Sequence, residues 1–246
     1  QNIKKDVHLS SISGGTDIVS CFVLGNLYQP VHMGEIQNKG LALNVDIFND
    51  KGKPVKNNKG ELVCKNPFPS MPLKFWNDKN ENKFKDAYFN RFANVWHHGD
   101  FAEIKKTKGF IIHGRSDTTL NPGGVRLGTA EIYSEVEKFK EIKESIVVGQ
   151  SWDNDVRIIL FIVMNAKFFL TEDLLKKIKT QIRKNASPRH VPSKVIVVSD
   201  IPRTKSGKIV ELAVKNTIEG NNIKNKEALA NPKALEQFKN LKELSI

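Results

Sequence analysis

The sequence predicts a mixed α/β and α+β fold, with a β-rich first part over residues 1–116 and a small α+β domain over residues 117–246. Three observations carry this expectation. Before about residue 117 apolar residues alternate in short runs closed by turn residues, the pattern of strands. After it they recur three and four residues apart, as on one face of a helix. Between those helical stretches lie unbroken apolar runs, the mark of buried strands.

In chain order, "LALNVDIFND" alternates Leu41, Leu43, Val45 and Ile47 with other residues and ends in the turn "NDKG"; "ELVC" follows after "NNKG". The segment "DFAEIKKTKGFIIHGR" reads as a hairpin around a Lys- and Gly-containing turn. Beyond it, Thr129 is expected to cap a helix carrying Ile132, Val136 and Phe139, and "SIVVG" and "RIILFIV" read as strands. Thr171, with Glu172 and Asp173 in the first turn, opens a helix whose Leu174, Leu175, Ile178 and Ile182 share a face. "KVIVV" is a third strand, and Asn231 with Pro232 starts a terminal helix bearing Leu235, Phe238 and Leu241.

Composition narrows the function classes. With 246 residues and 39% hydrophobic content the chain can bury a sizeable core in one or two domains. No apolar run approaches a membrane span, and the first residues lack the apolar centre of a signal peptide. Gln1 at the start points to a piece of a longer protein. Cys21 and Cys64 form neither a CxxC pair nor a disulfide framework, consistent with a reducing cytoplasm. The net charge is +12, yet seven of the 39 basic residues are Arg and the lysines are scattered among asparagines. That speaks against nucleic acid as the partner and for an anionic small molecule.

Four stretches carry chemistry. "IPRTKSGK" ends on Lys208 but is no phosphate-cradling P-loop, because Pro202 stands where the first glycine is needed and Ile209 where a metal-binding hydroxyl is needed. "SGGTDI" offers Gly14 and Gly15 for close backbone approach and Asp17 for a hard cation, or is a plain turn. "WHHGD" places Asp100 where it can accept hydrogen bonds from ribose hydroxyls, while His97 and His98 point to opposite faces. "GRSDTTLNPGGVRLGTAEI" combines Arg115 and Arg126 with Gly123, Gly124 and Gly128, and puts Asp117 at the change of texture, where a hinge belongs.

In this order and at these distances the motifs resemble the C-terminal part of the adenylate-forming enzymes, the family of acyl-CoA synthetases, luciferases and adenylation domains. The resemblance covers nearly the whole chain and includes "GTAEIYSEVE", "SPRHVP" and "NKEALANPKALEQF". It implies that residues 1–116 are the end of a large AMP-binding domain and residues 117–246 a mobile domain rotating about Asp117. By the same resemblance, Lys208 is the adenylation lysine, acting at the α-phosphate of ATP. Gly14, Gly15, Thr16, Asp17, Asp100, Arg115 and Arg126 contact the nucleotide, and Asp17 meets its Mg2+, an aspartate standing where the family usually has glutamate. Gly123 and Gly124 line the channel for the pantetheine arm of coenzyme A, and Arg183 meets its phosphate. Ser13 and Gly14 stand where acetate-specific members have tryptophans. That leaves room for a longer acid; acetoacetate is what the resemblance implies, with another short- or medium-chain acid as the alternative. A rival of another class is a non-catalytic basic module binding RNA or an acidic partner. The implied bulk of the large domain is missing from the sequence, so the 246 residues alone are expected to lack ligase activity.

Overall fold

A computed structural model describes residues 5–223 and 226–245. The chain divides into two compact units, Gln1–Ser116 and Asp117–Ile246.

The first unit holds two antiparallel sheets. One has three short strands in the order β1 (Ser13–Gly15), β2 (Ser20–Leu24), β3 (Asn38–Lys39). The other is a four-stranded meander of β4 (Val45–Phe48), β5 (Lys59–Cys64), β6 (Trp96–Ile104) and β7 (Phe110–Arg115), with the short helix α1 (Asn82–Tyr88) between β5 and β6. Phe22, Ile47, Leu62, Trp96 and Ala102 are among the residues that close the core between them. Both cysteines lie in strands, Cys21 in β2 and Cys64 in β5, and both are free.

The expected strand at "LALNVDIFND" is shorter than its alternation. Leu41 is almost fully exposed, and Ala42 sits at φ +62, a left-handed turn that an extended chain cannot pass through. Only Val45–Phe48 pairs with β5. The turn after it forms as its residues dictate, with Asn49 Oδ1 accepting from the backbone of Lys51 and Lys53 and Gly52 at φ +69. The hairpin β6–β7 is present. Helix α1, by contrast, carries no apolar repeat long enough to read; the Asp78 carboxylate, accepting from Phe84 N at 3.0 Å, holds its first turn.

The second unit is a three-layer arrangement. Strands β8 (Ile142–Trp152) and β9 (Asp155–Met164) form a hairpin through Asp153 and Asn154, both at positive φ, and β10 (Lys194–Val197) adds parallel to β9. Helices α2 (Ala130–Val136) and α3 (Glu172–Asn185) cover one face over Val147, Ile158, Leu160 and Ile162. Helix α4 (Glu211–Ile218) and the 3-10 segment Pro232–Phe238 cover the other over Ile146, Val148, Ile159 and Phe161. Because both faces are buried over residues 158–163, successive residues of β9 there must be apolar, which explains the unbroken run "IILFIV". Thr171 caps α3, accepting from Leu174 N at 3.2 Å.

Two expectations are corrected here. Thr129 has helical φ and makes no side-chain cap; it is buried, and its carbonyl accepts from Ile132 N and Tyr133 N instead. The terminal helix is a 3-10 segment, because the Asn231 side chain is spent on Asp200, Ile201 and Arg203 and leaves the first turn uncapped. Leu235 and Phe238 nevertheless enter the core, Phe238 meeting Phe161 edge to face at 4.9 Å.

Phe161→Ala is expected to destabilise the second unit by about 3–5 kcal/mol, read as a lower urea midpoint, whereas Leu41→Ala in the first unit should shift stability by no more than about 0.5 kcal/mol.

Candidate functional site

In the first unit the site is built along β6. Successive side chains of a strand face opposite ways, so "WHHGD" is divided between two surroundings. His97 Nε2 meets Glu61 Oε2 at 2.8 Å. His98 packs edge-on against Phe22, with ring centroids 4.7 Å apart, and presses on Gly15, where an added Cβ would lie 2.7 Å from its ring. Gly99, at φ +82, leaves the space that Arg115 fills, since a Cβ there would stand 2.7 Å from Nη2. Arg115 faces Asp100 across β6 and β7 and donates from Nη1 to Asp100 Oδ1 and to the His98 carbonyl, each at 3.1 Å. Ser13 Oγ donates to Asp100 Oδ2 at 3.5 Å. A carboxylate can accept about four hydrogen bonds, so Asp100 keeps capacity for hydroxyl donors such as those of a ribose.

His98 is held by its neighbours. Trp96 Nε1 donates to His98 Nδ1 at 3.4 Å, which leaves the ring proton on Nε2, 3.8 Å from Asp100 Oδ2. Burial lowers the His98 pKa, and the nearby Asp100 carboxylate opposes that only in part.

Thr16 and Asp17 lie in the exposed turn between β1 and β2, closed by Val19 N on the Thr16 carbonyl at 3.1 Å. The Tyr88 hydroxyl, at the end of α1, donates to Asp17 Oδ2. The Tyr88 ring stacks on buried Trp96, centroids 3.7 Å apart and planes 15° from parallel. Burial, and then the bond to Asp17, push its pKa well above the ordinary tyrosine value, so it stays a donor. Among the described residues no group of three or more His, Cys, Asp or Glu could hold a metal ion. Asp17 thus stands without a group of further protein carboxylates, histidines or cysteines around it among the described residues.

In the second unit, the loop before α2 is pinned by the bridge Leu120↔Leu127. Inside it, Gly123 N donates to both oxygens of Asp155 at 2.9 Å, and Gly123 and Gly124 take φ of +59 and +73. A Cβ on Gly124 would meet nothing within 4 Å, so conformation and not crowding calls for glycine there. Arg126 Nε reaches Thr119 Oγ1 at 3.4 Å. Arg183 is exposed in the last turn of α3. Lys208 sits on a separate loop closed twice over: Thr204 N donates to the Lys208 carbonyl at 2.9 Å, and Lys208 N to Thr204 Oγ1 at 3.1 Å. Gly207, at φ +84, makes that turn, and Arg203 Nη1 ties the Gly207 carbonyl at 2.9 Å. The Lys208 side chain is exposed and forms no ion pair among the described residues.

The structure thus brings Asp100, Arg115 and Ser13 together, and adds Tyr88 to Asp17. Tyr88 and the positioning contacts of His98 were not anticipated; the only signal in the sequence was the density of aromatic residues between Phe68 and Trp96.

Residues 131–208 match the family model described as the AMP-binding enzyme C-terminal domain. The acetoacetyl-coenzyme A synthetase of Rhizobium meliloti (strain 1021) is 62% identical over 244 residues, covering 99% of this chain and 38% of that protein. The acetoacetyl-CoA synthetase of Gallus gallus is 48% identical, covering 99% of this chain and 37% of that protein. The solved acetoacetyl-CoA synthetase from Streptomyces lividans superposes with a TM-score of 0.90 at 40% identity, over 96% of this chain and 36% of that one. The chain thus spans little more than a third of the length of these relatives.

Burial of His98 has a consequence for stability. Above its ordinary pKa near 6.5 the ring is neutral whether the chain is folded or not. As pH falls through that value the unfolded ring gains a proton that the buried ring resists, so stability is lost down to the lowered folded pKa. Between about pH 7.5 and about pH 5.5, the urea midpoint of the wild type should therefore fall further than that of His98→Gln.

Proposed function

We propose that the chain, whose residues 131–208 match the AMP-binding enzyme C-terminal domain, is part of an adenylate-forming enzyme and serves the ATP-dependent activation of acetoacetate. In the first half-reaction the acid's carboxylate attacks the α-phosphate of ATP, giving acetoacetyl-AMP and releasing pyrophosphate. In the second, the thiol of coenzyme A attacks the mixed anhydride, giving acetoacetyl-CoA and AMP. The observation that carries the geometric side of this reading is Lys208: an exposed ammonium with no ion pair among the described residues, on a loop whose backbone is fixed on both sides.

Two anions must meet in the first step. A cation that touches both stabilises the developing charge far more in a site closed to water than in bulk. On this reading Lys208 supplies that cation. Asp100 receives the ribose hydroxyls, Arg115 holds Asp100 and a second nucleotide contact, and Gly14, Gly15 and Thr16 give the phosphate close access to backbone and hydroxyl. Mg2+ arriving with the nucleotide would be held by Asp17 and the phosphates, where it would offset their charge. The second step needs a thiol channel in place of a lysine. Gly123 and Gly124 offer a wall without side chains, Arg126 stands by the α-phosphate, and Arg183 receives phosphate of coenzyme A. Exchange between the two faces would be rotation about Asp117, at the boundary between the two units. A cytoplasmic setting belongs to the same proposal.

A second reading has its own observation. A cleft of about 490 Å³ in the first unit is lined by Lys39, Lys56, Lys106 and Lys108 over an apolar floor that includes Val45 and Phe110. None of these four lysines forms an ion pair among the described residues. Like charges gathered in this way are relieved by a polyanion. Salt-sensitive binding that survives Lys208→Ala would favour this basic-module reading.

The deciding experiment measures pyrophosphate release with ATP, Mg2+ and coenzyme A in a protein of the relatives' full length that carries this sequence. Acetoacetate should be strongly preferred over acetate and butyrate. Lys208→Ala should lower that release by about a hundredfold to a thousandfold, while conversion of supplied acetoacetyl-AMP to thioester is largely kept. Normal adenylation by Lys208→Ala would sink the assignment. Tyr88→Phe is expected to weaken Mg2+-nucleotide binding about threefold to tenfold, measured by calorimetry on the same protein.

A further inference from the structure

Glu61 is a carboxylate with 0% exposure in the middle of β5, and nothing in the proposed chemistry uses it. Burying such a group is costly unless it is paired and hydrogen-bonded. Its partners include three side chains. Arg91 Nη1, from the segment before β6, lies 3.0 Å from Oε1 and is itself tied to Asp50 through Nη2. His97 Nε2 lies 2.8 Å from Oε2. The third partner is Ser116, whose hydroxyl donates to the same Oε2.

Ser116 occupies a particular place in the chain. The ladder between β6 and β7 ends with the pair Asp100↔Arg115, and Ser116, one residue past it, begins the 3-10 turn Ser116–Thr118. It is also the last residue of the first unit, and Asp117 is the first of the second. Every residue left unanchored at a junction adds two soft dihedrals to whatever motion occurs there. We propose that Glu61, held by Arg91 and His97, is a positioning residue that anchors Ser116 to the first unit, so that the pivot between the units begins at Asp117. The inference rests on the reading of Asp117 as the hinge. It adds what fixes the hinge's starting point: a buried acid on β5 reaching one residue past the end of the sheet.

A purely structural Glu61 would serve the sheet whether or not Ser116 were bound, and Ser116→Ala separates the two roles because it leaves Arg91 and His97 on the carboxylate. In the 246-residue chain, hydrogen exchange at the amides of residues 116–118 should quicken about fivefold to tenfold in Ser116→Ala and return towards wild type in Ser116→Thr, with β5 and β6 unaffected. In the full-length protein, Ser116→Ala should change the ratio of adenylation to thioester-forming rate by about threefold or more. Unchanged exchange at the junction overturns the anchor, and so does an increase spread through β5 and β6. Faster exchange with an unchanged ratio overturns the link to the pivot while leaving the ligase reading intact. Absence of ligase activity in the wild type would sink that reading alone, since the exchange arm uses no substrate.

Discussion

A carboxylate kept from water must have cations and donors brought to it, and the first unit meets that demand twice on one sheet. Asp100 on β6 is answered by Arg115 from β7 and Ser13 from β1. Glu61 on β5 is answered by Arg91, His97 and Ser116. Register is not free once both acids are paired. Sliding β6 by one residue would exchange the faces of His97 and His98, stranding Glu61 and breaking the packing of His98 on Gly15. The left-handed Gly99 between the two histidines and Asp100 is part of the same constraint, since only there does the strand make room for the guanidinium.

The second unit depends on a different economy. Its hairpin β8–β9 is buried on both faces through residues 158–163, so this stretch of the central strand contributes packing and leaves no side chain free for chemistry. Whatever acts must therefore come from the loops at its edges, and both candidate segments do: the glycine loop before α2, and the Thr204–Lys208 loop after β10. Loops of this kind are useful only if their backbone is already in place. Here the loops are fixed by the Leu120↔Leu127 bridge, by Asp155 on Gly123, and by Thr204 and Arg203 around Gly207. Lys208 keeps its own side-chain freedom on a backbone that has little.

Much of this was legible in the sequence, for reasons that differ by element. The strands of the second unit and helix α3 announce themselves because burial on two faces, or on one, leaves a period in the chain. Thr171 caps α3 as a β-region hydroxyl residue before acids should. Thr129 looked equivalent, but burial and helical φ took it out of the capping geometry. Leu41 shows the opposite failure: it matches the alternation of a strand whose first half a left-handed Ala42 prevents. The candidate motif positions were singled out by glycines and charges. Tyr88 and Glu61 were not, because their meaning lies in partners 71 and 55 residues away, Asp17 and Ser116.

The size of the acid pocket can be taken one step further on the proposed reading. Two positions before the Thr16–Asp17 pair, where tryptophans would close a pocket for acetate, this chain has Gly14, and before that Ser13. Gly14 is not merely small. Strand β2 approaches so closely that a Cβ on Gly14 would stand 2.2 Å from the Ser20 carbonyl oxygen, so no side chain of any kind is admitted without moving the β1–β2 pair. Ser13 is committed as well, its hydroxyl being directed to Asp100. An indole at either place would thus cost more than the space it fills: at Gly14 it displaces a strand, and at Ser13 it removes a donor from the acid assigned to the ribose. The absence of a side chain at Gly14 is therefore imposed by the strand pairing itself, and on the proposed reading placing a bulky residue there would require rebuilding β1 and β2 and not a single substitution.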